Sequence, residues 1–325
     1  MGGAILEKRD LLNFQPIGRR EIEAIFSFSR GLKGELKRGI VRPRLPGKTL
    51  AMVFEKPSLR TRVSFETGMI QLGGSAIFLG PDEIQLGVRE SAADGARVLS
   101  RWADLIVVRT FSQETVDEMA RWASVPVING LTDLYHPCQI LADCFTLVEK
   151  KGRLEGLKIA FIGDGNNVAN SWIEAAGKLP FSLTVASPRG YGPDASVIEE
   201  AKGSGARVHL TEDAVEAAAG ADVLYTDVWT SMGQEEEAQE RRRVFRAYQI
   251  NAKLVAKAKK DAVVMHCLPA HRDEEITHEV IEGPQSIIFD QAENRLHVQK
   301  GIMVWALKGM KGLSGEEPKR KKKVK

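Results

Sequence analysis

At 325 residues the chain is long for one domain, and its 43% hydrophobic and 27% charged residues fit a soluble globular protein with sizeable cores, not a disordered or fibrous one. Three cysteines (Cys138, Cys144, Cys267) are too few and odd in number for a disulfide framework, no Cys/His group has zinc-site spacing, and neither a membrane-length apolar run nor a signal-peptide pattern is present. The formal charge of +3 misleads, because residues 319–325 hold six Lys/Arg and no acid, and without them the balance turns slightly acidic. These features predict a cytoplasmic protein with no metal site.

Strand-like and helical runs alternate along nearly the whole chain, which is the pattern of parallel α/β sheets. In the first half, strands are predicted at 49–54, 75–79, 104–109 and 126–129, with helical runs at 63–72, 91–102, 114–122 and 137–149. The short, charged, glycine-containing stretch 150–156 reads as a hinge. A second set follows, with strands at 157–162, 182–186, 222–227, 262–266 and 286–289 and a closing helix over 291–308. The expected fold class is α/β, with two doubly wound parallel-sheet domains, 1–150 and 151–290, and the active site in the cleft between them. Residues 291–312 are expected as a helix packing back toward the first domain, and 313–325 as a basic, disordered tail. No basic face interleaved with aromatics accompanies that tail, so no nucleic-acid partner is expected.

Ligands in open α/β sheets bind beyond the carboxyl ends of the strands. Six polar clusters obey that rule, each following a predicted strand: 58–62, Arg109, 136–139, 164–167, 227–232 and 267–272. In the first, Pro57 stops a strand and Ser58 is a good N-cap for a helix whose apolar period runs over 63–72. A helix start offers unpaired N–H groups, and the fork of Arg60 with the hydroxyls of Ser58 and Thr61 suits phosphate oxygens. The alternative is a capped surface helix with solvated arginines. Arg109 taken alone reads better as a solvated strand-end charge. His136-Pro137-Cys138-Gln139 opens a helix, where an imidazole N–H and a Gln amide can grip a carbonyl oxygen and an amide NH2 together, or merely cap the helix.

Gly163-Asp164-Gly165-Asn166-Asn167 resembles the start of a dinucleotide fingerprint, but Val168 occupies the third glycine position and no acid ends the next strand. Both departures argue against a nicotinamide cofactor. Asn167 suits a small carboxylate or amino group, or an ordinary cap. Asp227 can hold a cationic amine, with Ser231 and the Met232 backbone beside it, or begin a simple turn. Cys267 sits at a strand end next to His266, which raises a cysteine nucleophile. Without a clear second base and orienting acid, hydrogen bonding or acceptor positioning is the better reading.

Together these segments resemble the aspartate/ornithine carbamoyltransferase family over about residues 11–308. The likeness rests on Ser-Leu-Arg-Thr-Arg at 58–62, His-Pro-Cys-Gln at 136–139, Asp-Gly-Asn-Asn at 164–167, Asp-Val-Trp-Thr-Ser-Met-Gly at 227–233 and His-Cys-Leu-Pro at 266–269. The last two point to the ornithine branch. The resemblance implies transfer of a carbamoyl group from carbamoyl phosphate to the δ-amine of L-ornithine, giving citrulline and phosphate without a cofactor. It implies a carbamoyl-phosphate-binding first domain and an ornithine-binding second one. Ser58, Leu59 through its backbone, Arg60, Thr61, Arg109 and Arg295 would bind phosphate, and His136 and Gln139 the carbamoyl group. Gln85 would reach carbamoyl phosphate in a neighbouring subunit of a homotrimer. Asn167, Asp227, Ser231 and Met232 would bind the amino-acid end of ornithine, with Cys267 and Leu268 beside the reacting amine. Arg60, Arg109, His136 and Cys267 are the expected catalytic set. Leu59 departs from the Thr of many members. The direction, toward arginine synthesis or the reverse, stays open, as do putrescine or acetylornithine as acceptors.

Overall fold

Two parallel sheets, each fed by strand–helix alternation, carry the chain in the computed structural model, which describes residues 8–87 and 89–314. The first half runs α1 (Arg19–Lys37), β1 (Thr49–Phe54), α2 (Leu59–Gln71), β2 (Ser75–Leu79), α3 (Pro81–Ile84), α4 (Ala92–Trp102), β3 (Leu105–Arg109), α5 (Gln113–Trp122), β4 (Val127–Leu131) and α6 (Pro137–Lys151). The second half runs β5 (Lys158–Ile162), α7 (Asn167–Ala176), β6 (Ser182–Ala186), α8 (Ala195–Gly203), β7 (Val208–Thr211), α9 (Ala214–Ala218) and β8 (Val223–Thr226). It closes with α10 (Ala238–Phe245), α11 (Ala252–Val255), β9 (Val263–His266), α12 (His278–Ile281) and α13 (Ile288–Leu313). The basic segment 315–325 lies outside the described residues.

The sheet orders are β2-β1-β3-β4 and β7-β6-β5-β8-β9. In each, the chain builds outward from its first strand, then crosses back and builds the other way. The crossing points lie between β1 and β3 and between β5 and β8, where loops diverge and leave a crevice at the carboxyl ends. Register decides which residues meet there. Phe54 stands opposite Arg109, and Thr226 opposite His266, so the chain leaves β8 and β9 side by side as Asp227 and Cys267. Between β3 and β4 the register slips after Val108, so that Arg109 faces Leu131.

Both faces of each sheet are covered, which is why the strands read as continuous apolar runs. On β1, Leu50, Met52 and Phe54 point into one core, while Ala51 and Val53 point into another beneath α4 and α5. In the second sheet Ile159, Phe161, Val223 and Tyr225 share the core of Leu50 and Met52, and Ala160, Ile162 and Leu224 face a third. A single apolar core therefore joins the halves, through α6 and α13. Each fully buried aliphatic side chain contributes about 1.5–3 kcal/mol relative to exposure. Helix α6 stops at Gly152, whose φ of 77° is a left-handed cap that a side chain would resist.

One local expectation fails, and two elements lie outside the expected set. Residues 286–289 are not a strand: Ser286 makes one bridge to Val264, and the chain then turns into α13. A short apolar run such as Ile287-Ile288-Phe289 fits a strand or a helix start equally well. Helix α1 was not anticipated, although Ile22, Ile25, Phe26, Ser29, Leu32 and Lys33 are buried at helical spacing and pack it on α13. Edge strand β7 was also missed, because its Val208–Thr211 sequence is half polar and exposed. Helix α13 packs against α1, α2 and α6, and no helix among the described residues is long and apolar enough to cross a membrane.

Candidate active site

Beyond Phe54 the chain turns through Lys56 and Pro57 into α2. Ser58 is extended (φ −161°, ψ 115°) and its Oγ accepts from the Thr61 N–H at 3.2 Å, the geometry of a helix N-cap. Leu59 is exposed at the helix start, and its side chain takes no part in the cap. Arg60, Arg109 and Arg295 converge on this helix end. Burial lowers the pKa of Arg109 to about 10, helped by the charges of Arg295 and Arg60. Arg60 and Arg295 are lowered too, chiefly by burial. Three desolvated cations in mutual repulsion make a strong anion site. Arg295 is braced by its Nη2 donating to Thr61 Oγ1 at 3.1 Å and its Nη1 to Gln139 Oε1, while Arg109 Nε is buried with no partner among the described residues.

His136 precedes α6, and Pro137 takes the first helical position. Burial, with Arg295, Arg109 and Arg60 nearby, holds its pKa well below the usual imidazole range, so the ring is neutral. Its Nδ1 is buried without a partner among the described residues. One turn on, Gln139 donates to Asp143 Oδ1 at 2.8 Å. Asp143 also accepts from Tyr225 Oη at 2.7 Å and Gln291 Nε2 at 2.8 Å, while Gln291 Oε1 accepts from the His266 N–H at 3.0 Å. Burial pushes the Asp143 carboxyl up to about 7 against those bonds. This buried chain ties the first sheet's pocket to the second's. The sequence reading missed it, although an acid four residues after Gln139 in an otherwise apolar helix was a visible signal.

At the ends of β8 and β9, Asp227 accepts from the Cys267 thiol at 2.9 Å, the Val228 N–H at 2.8 Å and Asn166 Nδ2 at 2.8 Å. Burial, then the Asp227 charge, drive the Cys267 pKa well above its usual value, so sulfur keeps its proton. His266 does have an orienting acid, contrary to the sequence reading: its Nε2 lies 2.9 Å from Glu275 Oε1, both wholly buried. Its Nδ1 accepts the Leu268 N–H at 2.8 Å, so the imidazole holds the loop with Leu268 at φ 59°. Neither ring nitrogen is left to activate the thiol. Cys267 is thus a hydrogen-bond donor in this geometry rather than a nucleophile.

The loop after β8 is anchored by buried Arg241, which donates to Trp229 O at 2.8 Å, lies 3.2 Å from Asp164 and sits over the Tyr191 ring. Ser231 N donates to Gln234 Oε1 at 3.0 Å, and Met232 is exposed at the mouth. Asn167 begins α7 and donates to Thr132 O at 2.5 Å. The glycines after β5 serve close packing: a Cβ on Gly165 would lie 2.1 Å from the Gly192 carbonyl carbon. Loop packing is therefore reason enough for a glycine at position 165.

These loops enclose a cleft of ≈ 1160 Å³. It is lined by Ser58, Leu59, Arg60, Thr61, Arg109, His136, Gln139, Asn167, Asp227, Ser231, Met232, Cys267, Leu268 and Arg295. Gln85 does not line it and lies instead at the left-handed end of α3. Lys56, Asp133, Asp164 and Arg241 also line the cleft and had not been singled out for a role. Burial lowers the Arg60 pKa while the nearby Asp227 carboxylate pulls the other way, so the cationic and acidic ends share one space.

A cationic pocket at the first sheet's switch point shares one cleft with an acid–thiol pair at the ends of β8 and β9, an arrangement suited to group transfer between two substrates. Residues 9–149 match the model described as aspartate/ornithine carbamoyltransferase, carbamoyl-P binding domain, and 155–306 match the model of its Asp/Orn binding domain. The chain belongs to the aspartate/ornithine carbamoyltransferase family. An ornithine carbamoyltransferase of Syntrophus aciditrophicus is 56% identical over 297 residues, covering 91% of this chain and 98% of its own. One from Bacillus subtilis is 54% identical over 299 residues, covering 91% and 92%. The solved ornithine carbamoyltransferase from Pyrococcus furiosus aligns with a TM-score of 0.89 at 48% identity, covering 97% of this chain and all of that one.

Proposed function

We propose that the chain transfers the carbamoyl group of carbamoyl phosphate to the δ-amine of L-ornithine, giving L-citrulline and phosphate. The observation that carries this reading is the convergence of Arg60, Arg109 and Arg295 with a neutral His136 in the same cleft as Asp227 and Cys267. The first unit, to residue 150, takes carbamoyl phosphate, and residues 151–290 take ornithine. Phosphate oxygens bind the α2 start at Ser58, Leu59, Arg60 and Thr61, with Arg109 and Arg295 completing the charge. The His136 imidazole donates to the carbamoyl oxygen, and Gln139 meets the amide. Asn167, Asp227, Ser231 and Met232 hold the amino-acid end, and the Cys267 thiol and Leu268 lie beside the δ-amine.

The neutral amine attacks the carbonyl carbon. A C–N bond forms as a tetrahedral oxyanion develops, and the C–O bond to phosphate then breaks. The proton shed by nitrogen is taken up by the departing phosphate. Charge growing on oxygen and phosphate is met by groups already desolvated and aimed, which is where preorganisation has most effect. An alkylammonium has a pKa of about 10, so attack needs the minor neutral form. Two halves meeting over the reactants would exclude water from a labile donor.

A homotrimer with shared sites fits the position of Gln85 outside its own chain's cleft. It also fits the exposed Val63 and Ile70 of α2 and the exposed Ile77 of edge strand β2. A cytoplasmic location fits the three unpaired cysteines. The test is product formation from carbamoyl phosphate with ornithine, putrescine or acetylornithine in parallel. Rapid citrulline formation with ornithine alone is expected. Turnover only with another amine would overturn the acceptor, and none with any acceptor would overturn the reaction.

A further inference from the structure

Helix α7 carries four polar residues at helical spacing, Asn167, Asn170, Ser171 and Glu174, among buried apolar neighbours such as Ala169, Trp172 and Ile173. All four reach out of the second half into the first. Asn167 Nδ2 donates to Thr132 O at 2.5 Å and Asn170 Nδ2 to Leu134 O at 3.2 Å. Ser171 Oγ accepts from the His136 N–H at 2.7 Å, and Glu174 Oε2 from the Phe14 N–H at 3.4 Å. Asn170, Ser171 and Glu174 are buried; buried polar groups are retained where hydrogen bonds are made, and here each of the four bonds joins the two halves.

His136 is the residue on which this stripe has a chemical consequence. No group among the described residues bonds its Nδ1, so the direction of the buried ring rests on packing and on its own backbone. That backbone is in a non-helical conformation (φ −140°, ψ 64°), followed by the fixed ring of Pro137. Its carbonyl accepts from Gln139 N at 3.1 Å and Ile140 N at 3.4 Å, which anchors one side to α6. Ser171, itself fully buried, anchors the other side from α7. The residue is clamped between a helix of each half.

We infer that Ser171 is a positioning residue for carbamoyl transfer: from the acceptor-binding half it fixes the His136 backbone, and so the direction in which the imidazole meets the carbamoyl oxygen. The imidazole is then in line only when α7 is seated against residues 132–136. This inference rests on the reading of His136 given above.

A double-mutant cycle tests it, using radiolabelled carbamoyl phosphate so that slow turnover is measurable. Ser171→Ala is expected to lower kcat about tenfold with the ornithine KM changed by less than about twofold. In a His136→Ala background the same substitution is expected to change kcat by less than about twofold, because the group it aims is gone. Ser171→Cys, which keeps the side-chain shape at a somewhat larger size but accepts weakly, guards against a folding failure of the alanine variant and is expected to show the same coupling. Equal fold losses in both backgrounds, or a normal kcat in the single variants, would overturn the positioning role. Undiminished kcat in His136→Ala alone would overturn the reading of His136, which separates the two failures.

Discussion

The Cys267 thiol donates to Asp227 Oδ1 across 2.9 Å, and this contact exists because β8 and β9 end in register, with Thr226 opposite His266. Parallel pairing sets an acid and a thiol side by side at the mouth of the second sheet. Burial and the carboxylate together keep the thiol protonated, which suits it to donate and not to attack. Inactivation by iodoacetamide should therefore be slow near pH 7 and still be accelerating above pH 9. A rate that levels off below pH 8 would show a thiolate and contradict this picture.

Arg60 stands at the capped start of α2, within the charge field of Arg109 and Arg295. Its removal takes a charge-assisted donor from the transition state, and Arg60→Ala should lower kcat/KM by about 10²–10³-fold. Steady-state kinetics with carbamoyl phosphate varied would measure it. Near-normal turnover would remove Arg60 from the phosphate site.

Two buried carboxyls make stability depend on pH in an unusual direction. Burial raises Asp143 to about 7 from an ordinary value of 3.8, and Glu174 to about 8 from 4.5. Between those values the folded chain binds more protons than the unfolded chain. Stability contributed by these groups is therefore greatest at low pH and falls as pH rises from about 4 to about 8. Denaturant unfolding at pH 5 and pH 7.5 should show Asp143→Asn losing less stability over that interval than the parent. Equal losses would mean that Asp143 is ionised in the fold throughout.

Gly165 lies where the loops after β5 and β6 touch, with its N–H donating to Tyr191 O at 2.8 Å. A methyl group there would overlap the Gly192 carbonyl carbon at 2.1 Å and the Pro193 nitrogen at 2.2 Å, both of them backbone. Gly165→Ala should lower stability by about 1–3 kcal/mol and raise the ornithine KM, since Asn166 and Asn167 shift with the loop. Thermal unfolding and acceptor kinetics would read both effects, and an unchanged variant would mean that the loops part easily.

The cleft's outline was legible in the residues because of a general property of parallel sheets: every strand delivers its next loop to the same edge. Ser58, Arg60, Arg109, His136, Asn167, Asp227 and Cys267 could thus be gathered from strand ends alone, and all line one space. The cap of α2 was likewise local, since Ser58 and Thr61 are three residues apart. Helix α1 also carries a local signal, its buried apolar residues standing at helical spacing.

What only the tertiary structure decided is how buried polar groups choose partners. Asp143 meets Tyr225 and Gln291, Arg295 meets Thr61 and Gln139, His266 meets Glu275, and Ser171 meets His136. Most of these pairs are distant in the chain, and periodicity reports only which face of an element is buried. Once water is excluded, each donor and acceptor must be satisfied by whatever the packing of α6, α7 and α13 brings within reach. Composition and spacing therefore determined the sheets, their loops and the reactive residue types. The folded packing determined that the thiol stays protonated, the imidazole neutral, and the two halves of the cleft joined.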